Sequence, residues 1–154
     1  MYSWDIGVAR SIGILEKLGI VPRKTKIINI PDLDLISLPD YLRGLFDGDG
    51  CWHNKLKKQY YKDRVYKRRF LHFNFTTGSK KMAESIIGIT NKITGSSSNI
   101  IEKNTKYDSE LFHSKKYTIS YECLNARKLA KFVYQNPNPC LTRKINIVKE
   151  FVNI

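Results

Sequence analysis

The sequence predicts an α+β fold, one domain over residues 1–154 in which a mostly antiparallel four-stranded sheet carries helices on one face. Three observations lead there. From Cys51 to Thr77 aromatic and β-branched residues are interrupted only by a polar turn near Lys62-Asp63-Arg64, the pattern of a long β-hairpin. Apolar residues at helical spacing stand on both sides of that run. A second, shorter strand-strand-helix succession follows between Asn99 and Tyr134, without repetition of sequence.

Taken in order, Val8, Ile12, Leu15 and Leu18 form the apolar stripe of a helix over 5–18, with Gly19 as its C′ residue. Pro22, Pro31 and Pro39 mark an extended connection, so residues 1–38 divide into a helix and a linker. Asp40 is placed to cap a second helix within 39–50, with Leu42, Leu45 and Phe46 as its apolar members and Gly50 at its end. Residues 51–154 supply the sheet and the remaining helices. In the hairpin, Leu71, Phe73 and Phe75 share one face while Phe70, His72, Asn74 and Thr76 share the other, because strand side chains alternate. One side of the sheet is thus apolar and the other is left for a partner. Ser79 caps a helix to about Thr94 through Met82, Ile86, Ile89 and Ile93, and Gly95-Ser96-Ser97-Ser98 breaks it. Asn99 to Lys103 and Tyr117 to Tyr121 read as strands, followed by a helix from about Leu124 to Tyr134. After the Asn136-Pro137-Asn138-Pro139 turn, Ile145, Val148 and Val152 mark a last helix from Thr142 to Phe151. The core order is αββαββα with one further helix at each end.

Charge narrows the partner. The chain has 27 basic and 14 acidic residues, a net charge of +13, which points to a polyanion. No stretch approaches the roughly 18 apolar residues of a membrane span, and the first residues lack a signal-peptide pattern. Cys51, Cys123 and Cys140 are odd in number and widely spaced, which suggests neither a disulfide framework nor a zinc site. The expected setting is a reducing one, cytoplasm or organellar matrix, and not a secreted one.

The cations concentrate in the hairpin. Lys55, Lys57, Lys58, Lys62, Arg64, Lys67, Arg68 and Arg69 face a single acid, Asp63, in that stretch. A two-stranded ribbon of this charge fits the major groove of DNA, where Lys and Arg meet guanine or phosphate and Asn meets adenine. Counting by twos from Gly50 puts His53, Lys55, Lys57 and Gln59 on one side, joined by His72 and Asn74 across the hairpin. These residues, with Lys67, Arg68 and Arg69, are the candidate DNA contacts. Tyr60, Tyr61 and Tyr66 stand at the rim, where cross-strand packing is an equal reading.

The segment from Tyr41 to Gly50 is chemically the most specific. Gly44 and Gly48 lie four apart on one helix face, where a missing Cβ lets another helix backbone approach, although each glycine costs roughly 1 kcal/mol of helix stability. Asp47 and Asp49 fall at the C-terminal end of that helix, where the macrodipole disfavours anions, so the placement asks for a cation. A calcium loop counted from Asp47 fails, because Lys58 stands where its closing Glu should be. His53, His72 and His113 form no recognisable H-N-H nuclease pattern.

Leu42-Arg43-Gly44-Leu45-Phe46-Asp47-Gly48-Asp49-Gly50 resembles the signature of the LAGLIDADG homing endonucleases, in the form typical of intein-associated members. The flank Leu15-Glu16-Lys17-Leu18-Gly19-Ile20-Val21-Pro22-Arg23-Lys24-Thr25, followed by Pro31, resembles what often precedes that signature, so the likeness covers nearly the whole chain. It implies a sheet shaped as a DNA-binding saddle and motif helices that pack in pairs, here through Leu42, Gly44, Leu45 and Gly48. It implies that Asp49, with the Gly48 carbonyl, holds Mg²⁺ or another divalent cation such as Mn²⁺ at the scissile phosphate. Asp47 is then a structural residue at the helix end or a secondary metal ligand. Thr77 and Lys80 or Lys81, just past the second strand, are the matching candidates for water orientation and charge stabilisation, with Lys115 or Lys116 at the far end of the fourth strand as weaker ones. A single motif implies a homodimer or pairing with a second such half, cutting both strands of double-stranded DNA. The basic residue usual after the fourth strand is missing, since Tyr121, Glu122 and Cys123 stand there. That departure keeps open a cleavage-inactive relative acting as an RNA-splicing maturase or DNA-binding regulator.

Overall fold

Helix α1 (Leu38–Gly48) starts before Asp40, which corrects the expected cap. Ser37 is the N-cap residue, the Asp34 carboxylate accepts the Ser37 N–H at 2.6 Å, and Pro39 sits in the first turn, where a missing N–H is harmless. Asp40 lies inside that turn and pairs with Arg43 at 2.9 Å. The computed structural model describes residue 13 and residues 26–62, 64–106 and 113–154; the expected helix over 5–18 lies, Gly13 apart, outside them.

Strand β1 (Gly50–Tyr61) turns back directly from α1. A Cβ on Gly50 would stand 2.7 Å from the Phe46 carbonyl oxygen and 3.0 Å from the Phe73 ring, so only glycine fits this reversal. β1 pairs antiparallel with β2 (Arg64–Thr77) in unbroken register from Gly50 opposite Phe75 to Tyr61 opposite Arg64. β2 pairs with β4 (His113–Glu122) from His72 onward, and β4 pairs with β3 (Ile101–Lys106). The order is β1-β2-β4-β3, antiparallel throughout. Because β4 covers β2 only from His72, residues 54–61 and 64–71 continue past the sheet as a two-stranded ribbon.

β3 lies two residues later than its expected start, and β4 begins four residues earlier than Tyr117. Polar residues there looked like loop. Cross-ladder pairing accommodates them, with Lys115 bonded to Glu102 at 2.7 Å.

α2 (Lys80–Thr94) is capped as expected by Ser79, whose Oγ accepts the Met82 N–H at 3.2 Å and donates to the Ile28 carbonyl at 2.6 Å. Gly95, at φ +69°, closes it in the left-handed conformation. α3 (Cys123–Val133) and α4 (Thr142–Lys149) complete the helical layer. Trp52, Leu71, Phe73, Phe75, Ile119 and Tyr121 project from one sheet face and are buried with Phe46, Met82, Ile86, Leu129, Val133 and Val148. Phe73 anchors the centre, its ring 4.6 Å from Phe46 and 4.5 Å from Trp52. Among the described residues no helix is long and apolar enough to cross a membrane.

Candidate active site and nucleic-acid interface

The two acids at the end of α1 part company. Asp47 turns inward and is buried. The Tyr134 hydroxyl donates to its Oδ1 at 2.6 Å and the Leu141 N–H to its Oδ2 at 2.8 Å. Burial first, and then the bond to Asp47, push the Tyr134 phenol far above its ordinary pKa. With each oxygen engaged by a protein donor, Asp47 has the structural role expected of it at the helix end. Asp49 is the C-cap residue and is exposed. Among the described residues, no hydrogen-bond or ion-pair donor reaches its carboxylate.

A cation does serve this helix end, and it belongs to the chain. The buried Lys144 ammonium donates to the carbonyls of Phe46, Asp47 and Gly50 at 2.7, 2.6 and 2.6 Å. It thereby satisfies carbonyls that a helix terminus leaves open and offsets the negative end of the dipole. Burial, and next the Arg143 charge, pull the Lys144 pKa below its ordinary value, while Asp47 and Asp49 pull it up. Arg43 reinforces the same junction, donating to the Pro139 carbonyl at 2.8 Å and the Asn136 carbonyl at 2.5 Å. Sequence reading missed Lys144. The available signal was its place four residues before Val148 and eight before Val152, a lysine on the apolar stripe of a helix.

Asp49 lines a cleft of about 340 Å³ together with Ile28, Leu45, Phe75, Thr77, Gly78 and Met82. Two catalytic candidates, Asp49 and Thr77, therefore share one cavity. The Thr77 hydroxyl accepts the Ser79 N–H at 3.1 Å, which keeps the oxygen's proton available to the cleft. Lys80 and Lys81 do not join them. They begin α2 on the face opposite Met82 and Ala83 and line a separate cleft with Lys26 and Glu84, where Lys80 stands 3.7 Å from the Glu84 carboxylate. The direction of the first helical turn sets them in a different cleft from Asp49 and Thr77.

A divalent ion finds half a site here. The Asp49 carboxylate and the Gly48 carbonyl are hard oxygen donors of the kind Mg²⁺ takes, but octahedral coordination needs about six. Among the described residues no group of three or more His, Cys, Asp or Glu side chains could hold a metal. The missing donors would have to come from water, phosphate or a second Asp49. Among the described residues the helix face next to it is open: Gly44 and Gly48 are exposed, and a Cβ on either would meet nothing within 4 Å. Nothing among the described residues requires these glycines. Leu45 is half-buried beside them, whereas Leu42 is fully buried in the chain's own core and drops out of the expected helix-pairing set.

On the other side of the sheet, the register puts His53, Lys55 and Lys57 of β1 on the same face as Arg68, His72 and Asn74 of β2, and pairs Gln59 with Tyr66. Lys67 and Arg69 fall on the opposite face with Leu56, Lys58 and Tyr60, since three consecutive strand residues cannot share a side. The expected group is thus divided. His72 is unlike its neighbours: it lies on the open face yet is 4% exposed. Burial first, and then the Lys55 charge, hold its pKa below the ordinary histidine value.

No family model matches the sequence, and no curated protein matches it. The structure is similar to that of a group I intron-encoded homing endonuclease, I-CeuI, complexed with DNA, with a TM-score of 0.53 and 15% sequence identity. The likeness covers 92% of this chain and 64% of the endonuclease, so this chain spans less than two thirds of that protein's length. The element order, the antiparallel sheet and this likeness together give the chain the LAGLIDADG homing-endonuclease fold.

Proposed function

We propose that this chain is a DNA endonuclease of the LAGLIDADG type. It binds double-stranded DNA along the open, cationic sheet face and its ribbon. It pairs α1 with the α1 of a second copy across Gly44 and Gly48, and cleaves at the Asp49 cleft. The observation that carries this reading is the exposed Asp49 carboxylate, which meets no donor among the described residues, set beside a helix face whose two glycines serve no contact among those residues. Two-fold pairing brings two such carboxylates together and supplies donors that one chain lacks.

Asp49 and the Gly48 carbonyl would hold Mg²⁺, or Mn²⁺ in its place, and the ion supplies charge neutralisation at the phosphate and a more acidic water. Thr77, its hydroxyl in the same cleft, orients water for in-line attack. Lys144 keeps the Phe46, Asp47 and Gly50 carbonyls fixed, so the backbone on both sides of Asp49 is rigid. The chain's cations on the open face position the phosphodiester backbone.

The test is incubation of wild-type protein and Asp49→Asn with a complex DNA library and Mg²⁺, followed by sequencing of new ends. Recurrent ends with short overhangs from the wild type alone are expected. One observation favours a second reading, a binding protein that acts as a maturase or regulator: Glu122 stands at the end of β4 where the resemblance calls for a basic residue, its carboxylate 3.5 Å from the His72 ring. Equal DNA binding by both proteins, with no new ends from either, would select that reading over cleavage.

A further inference from the structure

His72 gathers two opposite charges without letting them cancel. Its Nε2 lies 3.3 Å from the Lys55 ammonium on β1, 3.1 Å from the Ser120 hydroxyl and 3.5 Å from the Glu122 carboxylate on β4. Its Nδ1 lies 3.4 Å from the Asn74 amide on its own strand, and the His53 ring sits 5.7 Å away. Burial first, and then the Lys55 charge, favour the neutral ring, whose single Nε2 lone pair faces the Lys55 ammonium. The register opposes His72 to both His53 and Glu122, which places the whole group on the open face. Among the described residues, neither Lys55 nor Glu122 is ion-paired with another residue of opposite charge, His72 apart, and the Glu122 side chain is 56% exposed.

A carboxylate is out of place on a cationic face that approaches phosphate. Its productive partner in the major groove is an exocyclic amine, and cytosine N4 is the one a carboxylate accepts from. Across the same base pair, guanine presents O6 and N7, two acceptors suited to an ammonium. Adenine presents one acceptor, N7, beside its own amine, and so uses less of the lysine. We propose that Lys55 and Glu122, which flank His72 on the open face, read one G·C base pair in the major groove, Lys55 donating to guanine and Glu122 accepting from cytosine. His72 is a positioning residue, since it reaches the DNA through Lys55. This rests on the reading that the open face binds DNA; it does not require cleavage.

The experiment is selection of bound duplexes from a randomised library without divalent metal, using wild type, Lys55→Ala and Glu122→Ala. The wild type is expected to select G·C at one position in each half-site. Each variant should lose that preference by about tenfold while keeping its other preferred positions, a factor within the range a specific base contact provides. Glu122→Ala should at the same time bind non-specific DNA more tightly, because a repelling charge is gone, whereas Lys55→Ala should bind it less tightly. Unchanged preferences in both variants would overturn the proposal, as would loss of an A·T rather than a G·C preference. Failure of the wild type to bind any duplex would instead remove the underlying DNA-binding reading, and this assignment with it.

Discussion

Asp47→Asn changes one charge and almost no volume, and the structure says what that costs. The carboxylate accepts from Tyr134 at 2.6 Å and from Leu141 at 2.8 Å. An amide offers one acceptor and one donor, so its NH₂ must face a group that now donates. The Leu141 N–H cannot reverse, but the Tyr134 hydroxyl can, which leaves the amide oxygen on Leu141 and forces the phenol to accept. Two charge-assisted bonds become neutral ones, a loss of about 2–3 kcal/mol in a buried setting. For a domain of this size that lowers Tm by about 5–10 °C. Asp49→Asn, two residues on, removes an exposed carboxylate with no bonded donor among the described residues and should leave Tm within about 2 °C, because surface changes of this kind fall inside ±0.5 kcal/mol. Thermal unfolding followed by circular dichroism, with cleavage measured on the same samples, gives both quantities. The reasoning is refuted if Asp47→Asn melts with the wild type, or if Asp49→Asn is the less stable of the two.

Lys144→Met should cost more, about 3–5 kcal/mol, since three carbonyls lose a buried donor at once; a urea midpoint unchanged from wild type would contradict this. Gly44→Ala should stabilise the isolated chain by up to about 1 kcal/mol, because the new Cβ meets nothing, yet weaken self-association; sedimentation showing pairing unchanged by Gly44→Leu would exclude α1 as the pairing face. His72 is harder to protonate folded than unfolded, so below pH 6.5 the unfolded chain binds more protons and stability falls with pH toward the folded pKa. Urea unfolding at pH 7.5 and 5.5 should show this loss, reduced in His72→Asn, and equal slopes in the two proteins would refute it.

The local parts of this fold were open to sequence reading because they rest on period and turn chemistry. Leu71, Phe73 and Phe75 do face the core, and Ser79 does cap α2. The hairpin side that joins Lys55 to His72 follows from counting by twos, and the same count, carried across the turn, separates Arg68 from Lys67 and Arg69. Asp40 misled because an Asp before an apolar run resembles a cap, while Asp34 and Ser37 had already begun the helix. What the sequence concealed is contact between distant residues. Tyr134, Leu141 and Lys144 lie 87 to 98 positions from the groups they bind, and no spacing rule connects them. The acids at the end of α1 ask for a cation, and Lys144 supplies one at the carbonyls beside them.

The junction also sets an order of events in synthesis. The end of α1 is translated early, but its buried acid and its carbonyls obtain their partners only from residues 134–144. Until that stretch has left the ribosome, the nascent chain carries an α1 terminus with an unneutralised dipole and unsatisfied carbonyls, and a helix in that condition frays. The glycine face and Asp49 therefore become presentable late. The pairing through α1 proposed above would in this way be withheld while the chain's own hairpin and helices are still being made.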